Sequence, residues 1–128
     1  METKLLYGDI TEKIIGSAFE VHNALGKGLT EKTYQHALIV KLRNIGFEVE
    51  EEKRLPLYFE NVEVGHQRED IVVEEKIIIE TKAVRKISPQ FAQKLLSTLR
   101  NTKYQLGLII NFGDSVQIER VINSVQNK

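Results

Sequence analysis

Asp70 and the triplet Glu80-Thr81-Lys82 are the residues whose types and spacing could do chemistry. If Glu74, Glu75 and Lys76 connect two strands, Val73 faces Ile77, Ile71 faces Ile79 and Asp70 stands directly opposite Glu80. Side chains alternate along a strand, so Lys82 joins the face of Glu80. Two carboxylates and an ammonium then converge beside Val72 and Ile78, while Ile71, Val73, Ile77 and Ile79 form the opposite face. With both faces apolar near the turn, the sheet is expected to be covered on both sides.

Like charges directly opposite on a sheet repel, and paired carboxylates in an apolar setting call for a cation. The chain has no cysteine, and the donors are carboxylate oxygens. An oxygen-preferring divalent ion, Mg²⁺ or Mn²⁺, is therefore the expected cofactor. Lys82 beside it could orient a water or stabilise charge developing on a phosphate. The competing reading is a solvated hairpin with an incidental Glu–Lys pair.

Charge along the chain is uneven although the net charge is zero. Residues 48–80 hold eleven acids and four bases, whereas residues 81–113 hold six bases and no acid. An acidic block followed by a basic one can set carboxylates beside a positive surface, as binding a metal and a polyanion together requires. Arg85, Lys86, Lys94, Arg100 and Lys103 are the candidate nucleic-acid contacts. Mutual neutralisation across a solvated surface would give the same composition.

The elements that must position these residues follow from periodicity. Helical spacing runs over residues 11–25 with Thr11 as N-cap, and over residues 30–44 with Gly46 closing the second helix. Strands are expected at residues 47–58, 62–73 and 76–83, with Glu60-Asn61 as a turn and Pro56 marking an edge or bulge. Ser88 and Pro89 start a third helix ending near Arg100. A short apolar strand over residues 105–111 and an amphipathic helix over residues 115–125 complete the chain. The order α-α-β-β-β-α-β-α implies an α/β (α+β) sandwich in which helices flank a central sheet.

Asp-x9-Glu-x-Lys on a hairpin, behind a helix bearing a glutamate, resembles the PD-(D/E)XK nuclease superfamily. Gly28, Glu31 and Tyr34 match the signature of the small GxxExxY proteins within it. Further similar blocks lie at residues 21–29, 65–70, 78–84 and 106–113. The resemblance implies a restriction-endonuclease-like core with a mixed sheet. It also implies that Asp70 and Glu80 are metal-binding and catalytic carboxylates, that Lys82 is the catalytic lysine, and that Glu31 is a further carboxylate on the second helix. Read alone, Glu31 is also a dipole-favoured acid in a first helical turn, and Tyr34 a core residue. Related nucleases carry glutamine on the helix after E-x-K and tyrosine four residues later; those slots hold Lys94 and Thr98 here. Either Lys94 serves as a phosphate contact or the helix register shifts to bring Gln93 in.

His22 and Arg68 are further supporting candidates, His22 as a core residue or site group, Arg68 by sharing the face of Asp70. The expected function is metal-dependent hydrolysis of phosphodiesters, DNA first; a catalytically inactive nucleic-acid-binding module on the same fold is the alternative. The 128-residue length is expected to form one domain, and a homodimer would enlarge its footprint on a duplex. The longest apolar run, residues 37–40, is too short to span a bilayer, and residues 1–4 lead into no apolar segment of a secretory signal. A cytoplasmic setting is expected.

Overall fold

The computed structural model describes residues 6–124, so Val125 of the expected last helix lies outside the described residues. Helix α1 is Gly8–Leu25 and α2 is Glu31–Asn44. α1 starts before Thr11, after Tyr7 in the left-handed region (φ 54). Thr11 is thus no N-cap; it is buried inside the helix, where its hydroxyl donates to the Gly8 carbonyl at 3.1 Å. Thr30 caps α2, its hydroxyl accepting from the Thr33 N–H at 3.3 Å.

Three strands follow: β1 Val49–Phe59, β2 Val62–Val73 and β3 Ile77–Lys82. Helix α3, Pro89–Arg100, starts at Ser88, whose hydroxyl accepts from the Gln90 N–H. It carries the chain over to β4, Leu106–Phe112, which pairs parallel with β3. The last strand is β5, Val116–Ile122. Sheet order is β1-β2-β3-β4-β5, antiparallel except at β3–β4, which makes an α+β fold with a mixed sheet.

The final element is a strand where the sequence suggested a helix. Residues 116–122 read Val-Gln-Ile-Glu-Arg-Val-Ile, rich in β-branched side chains. A short connection at Gly113, Asp114 and Ser115 returns the chain along β4, whose residues are all buried and whose outer edge needs a partner. Pairing with a buried strand outweighs the helical spacing of the segment.

The sheet is covered on both faces. Ile71, Val73, Ile77, Ile79, Leu106, Leu108 and Ile110 pack with Ile14, Ala18 and Leu38 of α1 and α2. Val72, Ile78 and Ile109 pack on the other side with Leu95 and Leu99 of α3. α3 lies close to the sheet because β4 carries Gly107; a Cβ there would stand 2.6 Å from Leu95 Cδ2.

Alternation breaks at one place, and that place sets the site. In β1, Val49 packs with α1 and α2 whereas Leu55 packs with α3. Residues six apart on a regular strand share a face, so β1 must reverse its faces between them. Glu52 lies between, in the left-handed region (φ 50). The ladder pairs Glu51 with Ile71 and Lys53 with Glu69, passing over Glu52 and Asp70. Beyond this point the β1–β2 hairpin continues as an arm, since β2 pairs with β3 only through residues 71–73.

Gly107→Val should press branched methyl groups onto Leu95. Overpacking of this kind costs about 1–3 kcal/mol, so thermal or denaturant unfolding should show a drop of that size. Unchanged stability would mean that α3 tolerates displacement from the sheet.

Candidate active site

Asp70 is where β2 leaves β3. The β2–β3 pairs are Val73–Ile77, Val72–Ile78 and Ile71–Ile79, as the sequence indicates. The next expected pair, Asp70 directly opposite Glu80, is not among them. Asp70 Oδ2 instead accepts from the Thr81 backbone N–H at 3.1 Å and from the Thr81 hydroxyl at 3.3 Å. The carboxylate thus provides β3 with the kind of acceptor a paired strand would offer. The Asp70 carbonyl accepts from Nε2 of buried Gln35 on α2 at 3.4 Å. Burial, then the charge of Glu80, raises the Asp70 pKa; the Thr81 hydrogen bonds and Lys82 oppose the rise.

Because alternation breaks here, Glu69 turns toward α3. It is buried, interacts with Glu80 and reaches the Thr98 hydroxyl, while its Oε2 has no hydrogen-bond partner. Burial first, then the hydrogen bond and repulsion with Glu80, push its pKa up to about 9. Strict alternation put Glu69 on the opposite face, which is why sequence reasoning missed it. Arg68 is exposed and donates to the Glu52 carbonyl at 3.3 Å, which braces the kinked strand.

α2 contributes Glu31 from its first turn. Partial burial raises the Glu31 pKa; Lys82 draws it down, and Asp70 and Glu80 push it up. That mutual influence marks four charged side chains from three elements as one electrostatic group. Lys82 holds its ammonium 4.4 Å from the centroid of the Phe91 ring on α3. After Lys82 the chain is fixed by buried Asn111, its register neighbour on β4. Asn111 Oδ1 accepts from the Val84 N–H at 2.9 Å, and Nδ2 donates to the Val84 carbonyl at 2.8 Å. Spacing gave no hint of this positioning role.

Tyr34 is a core residue. Its ring stacks on Phe112 with centroids 4.8 Å apart, and its hydroxyl donates to the Gly26 carbonyl at 2.5 Å and accepts from the Leu29 N–H at 3.2 Å. It thereby fixes the loop that delivers Glu31. His22 Nε2 is 2.9 Å from the Gly113 carbonyl, tying α1 to the β4–β5 connection. A cleft of about 290 Å³ lies here, between Lys27, Gly28 and Leu29 on one side and Ala83, Val84 and Arg85 on the other.

The basic segment does not form one surface. Arg85 borders the cleft, and Lys86 is exposed in the same connection. Arg100 and Lys103 stand at the far end of α3. Lys94 is exposed on the helix between them, one turn before buried Thr98, whose hydroxyl donates to the Lys94 carbonyl. Gln93 is exposed, about 200° around the helix from buried Leu95, so no shift of register turns it inward.

Matching against protein-family models places residues 8–121 in one family, the PD-(D/E)XK nuclease superfamily. The chain belongs to this superfamily. No curated protein sequence matches it. The crystal structure of SSO0001 is similar in fold, with a TM-score of 0.51 at 16% identity over 93% of this chain and 80% of that one. The five-stranded mixed sheet with three helices is the restriction-endonuclease-like arrangement of PD-(D/E)XK nucleases. No helix among the described residues is long and apolar enough to cross a membrane.

PD-(D/E)XK nucleases usually employ divalent metal ions, and the donor chemistry fits one: carboxylates crowd together with their pKa values raised. Among the described residues no three acid, imidazole or thiol groups form a ready-made cage. This suits an ion that takes one or two carboxylates and completes its shell with water and phosphate oxygens, as Mg²⁺ does.

Glu69 also gives the metal-free protein a signature. Folding raises its pKa from 4.5 to about 9, so between those values the folded state keeps a proton that the unfolded chain releases. Stability must then fall as pH rises through this window. The metal-free melting temperature should decline from pH 5 to 9, and Glu69→Gln should flatten that decline. Equal slopes in both proteins would show that Glu69 holds no such proton.

Proposed function

We propose that this chain is a metal-dependent nuclease that hydrolyses phosphodiester bonds, with DNA as its substrate. The observation that carries the reading is the convergence of Asp70, Glu80, Lys82 and Glu31 from β2, β3 and α2 around the point where Asp70 is locked onto Thr81. The GxxExxY blocks at Gly28, Glu31 and Tyr34 support a place among the small members of the superfamily.

In this mechanism Asp70 and Glu80 hold Mg²⁺ or Mn²⁺, with Glu31 as a further carboxylate. When bound, the ion supplies Lewis acidity toward the scissile phosphate. Asp70 is oriented in advance by Thr81, so its placement costs little rearrangement during reaction. Lys82 stabilises negative charge growing on the phosphate and orients the attacking water. Its aromatic contact with Phe91 restrains the ammonium without neutralising it. Arg85 and Lys86, beside the cleft, draw the backbone in without reading sequence.

One observation favours the alternative, a binding module that does not cleave. Buried Glu69, with its pKa raised, interacts with Glu80 and competes with the metal for that side chain. The two readings separate on metal binding. Under the nuclease reading, Mg²⁺ or Mn²⁺ raises the melting temperature of the wild type and much less that of Asp70→Asn, because it relieves carboxylate repulsion. An equal shift in both would place the metal elsewhere.

Cleavage of supercoiled, linear, single-stranded and branched DNA and RNA tests the chemistry. Lys82→Met should lower the rate roughly 10²-fold or more, the scale for losing one electrostatic stabiliser, while the metal-induced thermal shift survives. Glu80→Gln should lose both. Wild-type rates in Lys82→Met would overturn the mechanism, and a wild type inert on every substrate would give the binding module the lead.

A further inference from the structure

A second concavity, of about 680 Å³, is not beside the carboxylates. It lies between the β1 arm, which contributes Lys53, Arg54 and Tyr58, and the α3–β4 connection, which contributes Arg100, Lys103 and Tyr104. No acidic residue lines it. Two of its four cations are already paired with carboxylates outside the groove, Lys53 with Glu50 and Arg54 with Glu63. Arg100 and Lys103 have no ion pair among the described residues, and the Lys103 ammonium lies 5.5 Å from the Tyr104 ring centroid.

Tyr104 gives the groove a second, independent mark of a ligand. The residue is 3% exposed, and its hydroxyl is buried with no hydrogen-bond partner. An orphaned buried hydroxyl costs free energy, and it belongs to a residue that lines the groove. Tyr58, by contrast, is 60% exposed, as an aromatic surface must be if something flat is to stack on it. A wall with two free cations, an unsatisfied donor at depth and an open aromatic ring on the facing arm matches a chain of phosphates and unpaired bases. In a duplex the base faces are already stacked on one another, which leaves Tyr58 nothing to cover.

We propose that this groove binds an unpaired strand of nucleic acid, with phosphates at Arg100 and Lys103 and a base on Tyr58. The inference rests on the nuclease reading and narrows its substrate to nucleic acid with a single-stranded portion. α3 links the two places: Phe91 near its start contacts Lys82, and Arg100 ends it, a rise of about 14 Å between the two. A phosphate held at Arg100 therefore stands off Lys82 by roughly that rise along α3.

The test measures binding without metal, so it does not depend on cleavage. Fluorescence anisotropy in EDTA with a fluorescein-labelled oligo-dT strand should show binding tighter than to a duplex of the same length. Arg100→Gln with Lys103→Gln should weaken strand binding about 10-fold or more and reduce the slope of log K against log salt by about 1.4, the value for two phosphate contacts on a single strand. Tyr58→Ala should weaken it about 5-fold or more, with Tyr58→Phe restoring it. All of these side chains are exposed, and circular dichroism and melting should confirm that the variants fold. Preference for duplex, variants that bind like the wild type, or competition by thymidine monophosphate equal to that by the oligonucleotide would each overturn the proposal. Strand binding that persists in a protein inert with metal would overturn the nuclease reading alone.

Discussion

A single carboxylate standing in for a strand organises this molecule. Where β2 departs from β3, the Thr81 N–H would lack a partner on that side, and Asp70 supplies one with its side chain. The substitution is possible only because β1 and β2 reverse their faces together at Glu52 and Asp70. The same reversal sends Glu69 toward Glu80 and α3, turns Leu55 into the second core and frees the hairpin beyond it as an arm. A kink that would otherwise waste a hydrogen bond becomes the means of fixing a charged side chain in a sheet.

The charges gathered there are held against their own repulsion. Asp70, Glu69 and Glu31 all have raised pKa values, with burial the leading cause in each. Lys82 offsets part of that cost at Asp70 and Glu31, and Glu69 lessens its own by keeping a proton. Under the nuclease reading proposed above, a divalent cation would displace such protons. Metal binding on that reading would be linked to proton release.

Much of the architecture was legible because local signals and tertiary demands agree. Ser88 caps its helix, Glu60 and Asn61 take the left-handed conformations a tight turn needs, and Pro56 lies on an edge strand. The register of Val73, Ile71, Ile77 and Ile79 follows from alternation. Alternation fails at Asp70, so the direct opposition of Asp70 and Glu80 does not form, and Glu69 reaches a face that alternation would not give it. Thr11 and the last element failed for another reason. Helical spacing and a threonine are local features, whereas the start of α1 and the pairing of β5 are set by packing against distant strands. Asn111 left no trace in the pattern because an apolar strand hides the one polar side chain that clamps Val84.

The arm formed by β1 and β2 beyond Asp70 touches the rest of the sheet only at its base. Its tip turns at Glu60 and Asn61, with Phe59 and Val62 open to solvent. Residues there carry little of the burden of folding, so their number and identity can drift while the core and the carboxylates stay as they are. The hairpin is in this sense an adjustable finger on a fixed palm. Lengthening or shortening it by a pair of residues changes what shape of partner the protein can grasp, and leaves untouched the place where chemistry would occur.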